Sequence, residues 1–186
     1  MQVTCHDLLL SSLTEFYNSH EHYKTILQEI VDGKHSISLR LIDWFVTHYS
    51  KTHGVCFWID NSKYYTKIPE ENYDGLENLK RLSLYQDYRA QLKSYTKINF
   101  DSFRRHHRIT FFLDLEKEIF IETTVGQLNF FRWVFKNKIL DFISDNYNDI
   151  YQNMIDNNTR MKDSKKQIKK SSTQDITNTL CTLRFD

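Results

Sequence analysis

Residues 91–109, QLKSYTKINFDSFRRHHRI, hold the densest chemistry in the chain. Lys93, Lys97, Arg104, Arg105 and Arg108 alternate there with Tyr95, Phe100 and Phe103, and Asp101 is the only acid among them. Arg89 extends the charge upstream. Cations interleaved with aromatics suit two operations: Lys and Arg neutralise phosphates, and ring faces stack on bases. The same residues would suit an acidic protein partner. The plain alternative is a solvated charged turn leading into a strand, with Phe100 and Phe103 pinned in the core; most charge clusters are no more than surface. If Tyr88 and Tyr95 also face the core, only the electrostatic term survives, and phosphate contacts carry no base specificity.

A second cationic group stands near the C-terminus. Arg160, Lys162, Lys165, Lys166, Lys169 and Lys170 lie among polar residues, with Asp163 as the only acid of that stretch. KKQIKK fits a nucleic-acid arm or nuclear-import signal, and equally a flexible solubilising tail. Beyond it, Ile176, Leu180 and Leu183 recur at i, i+4, i+7 and are followed by Phe185. A short helix with that spacing could dock into the groove of a viral or host protein.

Catalytic and metal-binding combinations are weaker. Cys5-His6 and His20-x-His22 would be neighbours in a helical hairpin, but zinc sites use close Cys pairs, and no C-x-x-C pair occurs. No metal and no cofactor are expected. Cys56 with His53, His48 and Asp43 is the only nucleophile-and-base combination. Asp43 and His48 lie five residues apart on an expected helix and do not share a face. Glu70-Glu71 lies in a polar loop, where solvation is the expected environment. Walker, Rossmann and kinase patterns are absent from the sequence. The chain reads as a binding protein more than an enzyme.

Composition narrows the class further. A net charge of +1 excludes a globally basic protein, so nucleic-acid binding must come from a patch. Four Gly and one Pro argue against Gly-rich phosphate loops and turn-dense all-β folds. Thirteen Phe, eleven Tyr and three Trp predict an aromatic core. Cys5, Cys56 and Cys181 are odd in number and widely spaced, and Met1–Thr4 lacks the basic residues of a signal peptide. A reducing intracellular setting is expected, with no secretion and no membrane span. Without secretion, the Asn157-Asn158-Thr159 sequon has no consequence.

The elements that must position these residues follow from periodicity. Thr4 and Asp7 form a capping box before a helix, and Ser19 is placed to cap a second helix that stops at Gly33. Residues 38–52 are apolar on most sides and predict a buried helix ended by Gly54. Residues 55–59 and 63–68 predict a β-hairpin turning at Asp60-Asn61-Ser62, followed by a polar loop over 69–80. Residues 84–95 return to helical spacing, with Tyr85, Tyr88, Leu92 and Tyr95 on one face. Residues 108–113 and 118–122 predict a second hairpin. Thr124 and Gln127 form a capping box for a strongly apolar helix, and a final helix starts near Lys138. The expected fold is α+β: a mainly helical core with two small antiparallel β-hairpins and a disordered basic C-terminal tail. One globular domain spans residues 1–157, and the tail with its short apolar end spans 158–186.

Three blocks, LRLIDWFVTHYSK, YRAQLKSYTKINFDSFRRHHRI and TTVGQLNFFRWVFKNKILDFI, carry a resemblance. They look like segments of an uncharacterised conserved protein group of the nucleocytoplasmic large DNA viruses, the giant viruses of algae and protists. The resemblance covers most of residues 4–154. It implies a viral origin and an infected-cell setting in cytoplasm, nucleus or virion, and no known activity. That group often has Pro between the Asp and the second Phe of the central block. Ser102 stands there in this chain, which implies a looser turn.

These readings converge on a non-enzymatic protein that contacts nucleic acid through Lys93, Lys97, Arg104, Arg105 and Arg108. Lys165, Lys166, Lys169 and Lys170 would raise affinity through effective concentration. The alternative is a virion or assembly adaptor that binds a protein through Ile176, Leu180, Leu183 and Phe185.

Overall fold

The structure is a computed structural model that describes residues 4–60, 63–68 and 79–174, the side chains of 165–174 excepted. Helix α1, Cys5–Asn18, starts at the expected box: Thr4 Oγ1 accepts the Asp7 N–H and the Asp7 carboxylate accepts the Thr4 N–H. Such a cap contributes about 1 kcal/mol. Helix α2, Glu21–Val31, has His20 and not Ser19 at its N-cap position, with no side-chain capping bond. Ser19 closes α1 instead, its hydroxyl bonded to the Glu15 carbonyl at 2.8 Å. A two-residue link leaves Ser19 nearer the carbonyls of the helix it ends than the amides of the helix that follows.

Helix α3, Leu39–Trp44, begins at Ser38, whose hydroxyl accepts the Leu41 N–H. It passes through a π-helical turn, Phe45–Tyr49, into α4, Ser50–His53. Gly54 ends the run at φ +61, a left-handed conformation that glycine takes without steric cost. Strand β1, Cys56–Ile59, then enters a three-stranded antiparallel sheet in the order β2-β1-β3, with β2 at Tyr64–Tyr65 and β3 at Lys80–Ser83. The first hairpin therefore gains a third strand from residues read as loop and helix approach. Only Leu82 of β3 is buried, opposite Phe57, so no alternation was there to read.

Helix α5, Leu84–Asn99, follows directly. The second hairpin pairs β4, Ile109–Asp114, with β5, Ile119–Thr123. Phe111, Leu113 and Ile121 face inward, while Phe112 and Phe120 form an outward cross-strand pair with ring centroids 5.9 Å apart. Helix α6, Val125–Lys136, buries Leu128, Phe130, Phe131, Trp133, Val134 and Phe135, and so lies at the centre of the core. Side chains of this size contribute about 1.5–3 kcal/mol each when buried. The expected aromatic core is built around them: Phe100 packs edge-on to Phe130 and Trp133, and Tyr17 packs edge-on to Phe111 and Phe135.

The final helix is two helices, α7, Ile139–Asp145, and α8, Tyr147–Gln174, broken at Asn146. Ile150 and Met154 of α8 reach the core. The tail expected from residue 158 starts as a continuation of this helix, which runs to Gln174. Lys, Gln and Met favour helix, and propagation from a packed turn needs no new nucleus. Residues 175–186 lie outside the described residues. No helix of the described residues is long and apolar enough to cross a membrane.

Candidate nucleic-acid interface

The cationic segment is held at both ends. At its start, α5 leaves helical geometry at Thr96, with φ +60, and Phe100 buries fully. The Asp101 N–H donates to the Gly126 carbonyl at 3.2 Å, and the Phe103 N–H donates to Asp101 Oδ1 at 2.9 Å. Ser102 is buried; its hydroxyl donates to Asp43 Oδ1 at 2.6 Å and its carbonyl accepts Gln127 Nε2 at 3.1 Å. The turn is therefore bolted to α3 and to the first turn of α6. Proline would supply no hydroxyl for the Asp43 bond, so Ser102 fixes the turn and does not loosen it.

Gly126 makes this approach possible. A Cβ there would stand 2.8 Å from the Ile98 carbonyl oxygen. Thr124 accepts the Gln127 N–H as expected, but the Gln127 side chain does not close the box on Thr124. It accepts from Thr123 Oγ1 and donates to the Ser102 carbonyl, which turns a helix cap into an anchor for the Arg-bearing turn.

Beyond the anchor, Phe103 is 45% exposed, Arg104 half-buried and Arg105 exposed. Phe103 is not pinned in the core with Phe100: the Asp101 turn points it outward. Among the described residues, Lys93, Lys97, Arg104 and Arg105 form no salt bridge. Arg108 differs. It stands beside β5 and pairs with Glu122 at 3.1 Å, both side chains exposed. Such a pair is worth about 0–1 kcal/mol, so it reduces the free charge of Arg108 without burying it.

Arg104, His106, His107 and His6 line one concavity of about 260 Å³ with Thr124 and Val125 at the start of α6. The first turn of α6 carries no acidic residue, so its open amides and dipole add positive potential to the same hollow. Lys93, Lys97 and Arg105 lie outside this lining. Neither Tyr88 nor Tyr95 lines this hollow. Tyr95 lies nearly parallel to Phe100, and Tyr88 packs on Phe100 and Trp133. Burial, then the charges of Asp43 and Asp101, push the Tyr88 phenol up to about 12. Phe103 is the exposed aromatic next to Arg104 and Arg105 in the chain.

A sequence profile described as a family of unknown function, DUF7197, matches residues 2–181. The chain belongs to DUF7197. A relative named "Uncharacterized protein L507", from Acanthamoeba polyphaga mimivirus, is 29% identical over 175 residues. The match covers 92% of this chain and 61% of that relative, so the chain spans about three-fifths of the relative's length. Membership of DUF7197 and this relative agree with the giant-virus resemblance read from the three blocks. No solved structure matches.

The remaining site residues divide as follows. The side chains of Lys165, Lys166, Lys169 and Lys170 lie outside the described residues, although the α8 backbone beneath them is helical. Ile176, Leu180, Leu183 and Phe185 also lie outside the described residues. No group of three His, Cys, Asp or Glu is gathered for a metal ion among the described residues.

Proposed function

We propose that this DUF7197 chain is a non-enzymatic binding protein of a large DNA virus that contacts nucleic acid through the surface around Arg104 and Arg105. One observation carries the reading: Arg104 and Arg105 directly follow exposed Phe103 in the chain and have no carboxylate partner among the described residues. An exposed ring beside unpaired cations supplies stacking and phosphate neutralisation together. Lys93 and Lys97 add charge from the last turns of α5, and Arg108 adds charge when a phosphate displaces Glu122. Single strands are favoured over duplex because one exposed ring can stack only on an unpaired base. A salt-titrated binding assay with single- and double-stranded DNA and RNA tests this. Charge reversal at Arg104 and Arg105 should abolish binding while leaving thermal unfolding within about 0.5 kcal/mol of the parent, as at ordinary surface sites. Undiminished binding by that variant would end the reading.

A second reading, a virion or assembly adaptor, is favoured by the outer face of the β4-β5 hairpin. Leu115 is 75% exposed, Phe120 52% and Phe112 44%. Contiguous apolar surface of this kind marks protein contacts. Deleting residues 175–186 separates the two adaptor surfaces: a partner held by the C-terminal segment is lost, and one held by the hairpin stays.

A further inference from the structure

A second cleft, of about 920 Å³, opens between α1, α5 and α6. Its walls follow helical spacing. Asp87, Gln91 and Tyr95 face it from α5 at steps of four, and Asn129, Arg132, Trp133 and Lys136 face it from α6 at i, i+3, i+4, i+7. The volume lies within the range of small-molecule sites, about 300–1,000 Å³.

Charge distinguishes this cleft. Lys80, Arg132, Lys136 and Lys138 line it, against Asp60 and Asp87. None of the four cations forms a salt bridge among the described residues. Asp87 accepts from Trp133 Nε1 at 2.6 Å, and Asp60 accepts from Tyr65 OH and the Lys63 N–H, each at 2.8 Å.

Arg132 is held in place. Asn129, 2% exposed, accepts its Nη2 at 2.7 Å, while the Asn129 amide donates to the Asn99 carbonyl at 2.8 Å. Ser12 Oγ accepts Nη1 at 3.1 Å. A guanidinium oriented by two neutral oxygens keeps its full charge for a ligand, and its planar fork matches phosphate. Lys136 reaches the same cleft with its Nζ 5.4 Å from the Phe16 ring centroid. Half-buried Tyr95, backed on one side by Phe100, gives the cleft an aromatic wall.

We infer that this cleft binds an organic phosphate of nucleotide size, with the phosphates on Arg132, Lys136, Lys138 and Lys80 and the ring against Tyr95. This activity is separate from the nucleic-acid surface and does not rest on it. Three arms of calorimetric titration on the full chain, without divalent ions, test it: ATP, tripolyphosphate and adenosine. ATP should bind tightest, tripolyphosphate more weakly, and adenosine weakest. The double variant Lys80→Gln/Lys136→Gln, both residues exposed, should weaken ATP about tenfold or more by removing two charged contacts. Arg132→Lys keeps the charge and loses the fork, and should weaken ATP while circular dichroism stays at the parent signal. Charge reversal at Arg104 and Arg105 should leave ATP binding unchanged. The inference is overturned if ATP and tripolyphosphate fail to bind the folded parent up to about 1 mM, the weak end of specific affinity. Affinity insensitive to Lys80→Gln/Lys136→Gln, or lost on the Arg104 and Arg105 reversal, overturns it equally.

Discussion

Ser102 Oγ donates to Asp43 Oδ1 at 2.6 Å across 59 residues of sequence, and this bond ties the Arg104-Arg105 turn to helix α3. Burial raises the Asp43 carboxyl above its ordinary value and the nearby Asp101 adds to the rise, while the Ser102 bond and His48 pull it down. The net shift is upward. The folded carboxyl therefore binds its proton more tightly than the unfolded one. The stability this contributes is present below the unfolded value, about 3.9, and is lost as pH rises through the folded value. Asp43→Asn should gain on the parent as pH goes from about 4 to neutrality, because it accepts the same bond without a charge. Ser102→Ala should cost about 1–3 kcal/mol by leaving the carboxylate without its donor. Urea unfolding at several pH values reads both; a pH-independent gap between Asp43→Asn and the parent would count against the assignment.

Gly126 tests the contact between α5 and α6. Alanine there places a methyl carbon 2.8 Å from the Ile98 carbonyl oxygen, an atom of the backbone that cannot rotate away. Gly126→Ala should lose about 1–3 kcal/mol, the usual cost of overpacking. It should also lower nucleic-acid affinity by shifting the anchored turn. Chemical denaturation and the binding assay measure the two effects separately.

Phe103 separates stacking from charge. Phe103→Ala should remove about 1–3 kcal/mol of single-strand affinity and leave the salt slope unchanged. Its stability should stay within about 0.5 kcal/mol of the parent, because nearly half of the side chain is already in water. Equal loss on duplex and single strand would remove the stacking role.

Alkaline pH should unfold the protein. Tyr17 is fully buried, its hydroxyl donates to the Leu128 carbonyl at 2.9 Å, and burial raises its phenol well above 10.0. Tyr64 is raised by burial and by its bond to Asp145, and Tyr88 is raised to about 12. These phenols favour folding below their unfolded value near 10, and that contribution is lost as pH rises through the folded values. Tyr17→Phe should flatten the fall of unfolding free energy between about pH 10 and 12 and lower stability at neutral pH by about 1 kcal/mol. Denaturant titrations across that range give both numbers.

Truncation after residue 157 tests the basic extension. Among the described side chains, Met154 is the last of α8 in the core. Removing 158–186 should change stability by less than about 1 kcal/mol, since no described side chain of that stretch belongs to the core. It should lower the salt slope on single strands by about 0.7 for each phosphate contact removed. An unchanged slope would make the extension a spacer.

Much of the fold was legible in local chemistry. Thr4, Ser38 and Thr124 announce helix starts through side chains that reach their own backbone three residues on, and Gly54 announces a stop through its φ. β3 was not legible, because a strand with one buried residue has no period. Nor was the break at Asn146, since Leu140, Ile143 and Ile150 keep helical spacing through it. The cationic cluster was visible as composition, but its division into free Arg104 and Arg105, paired Arg108 and exposed Phe103 was not. The cleft of Arg132, Lys136 and Lys80 gave no signal, because its residues come from segments distant in the chain.

By itself the sequence determined the class: an aromatic-cored α+β fold, several of its helix starts, and a charge balance that confines any anion-binding role to patches. Tertiary structure decided which charges remain free. A side chain's local bonds depend on residues three or four positions away, but whether a guanidinium meets a carboxylate or water depends on elements brought together only by folding.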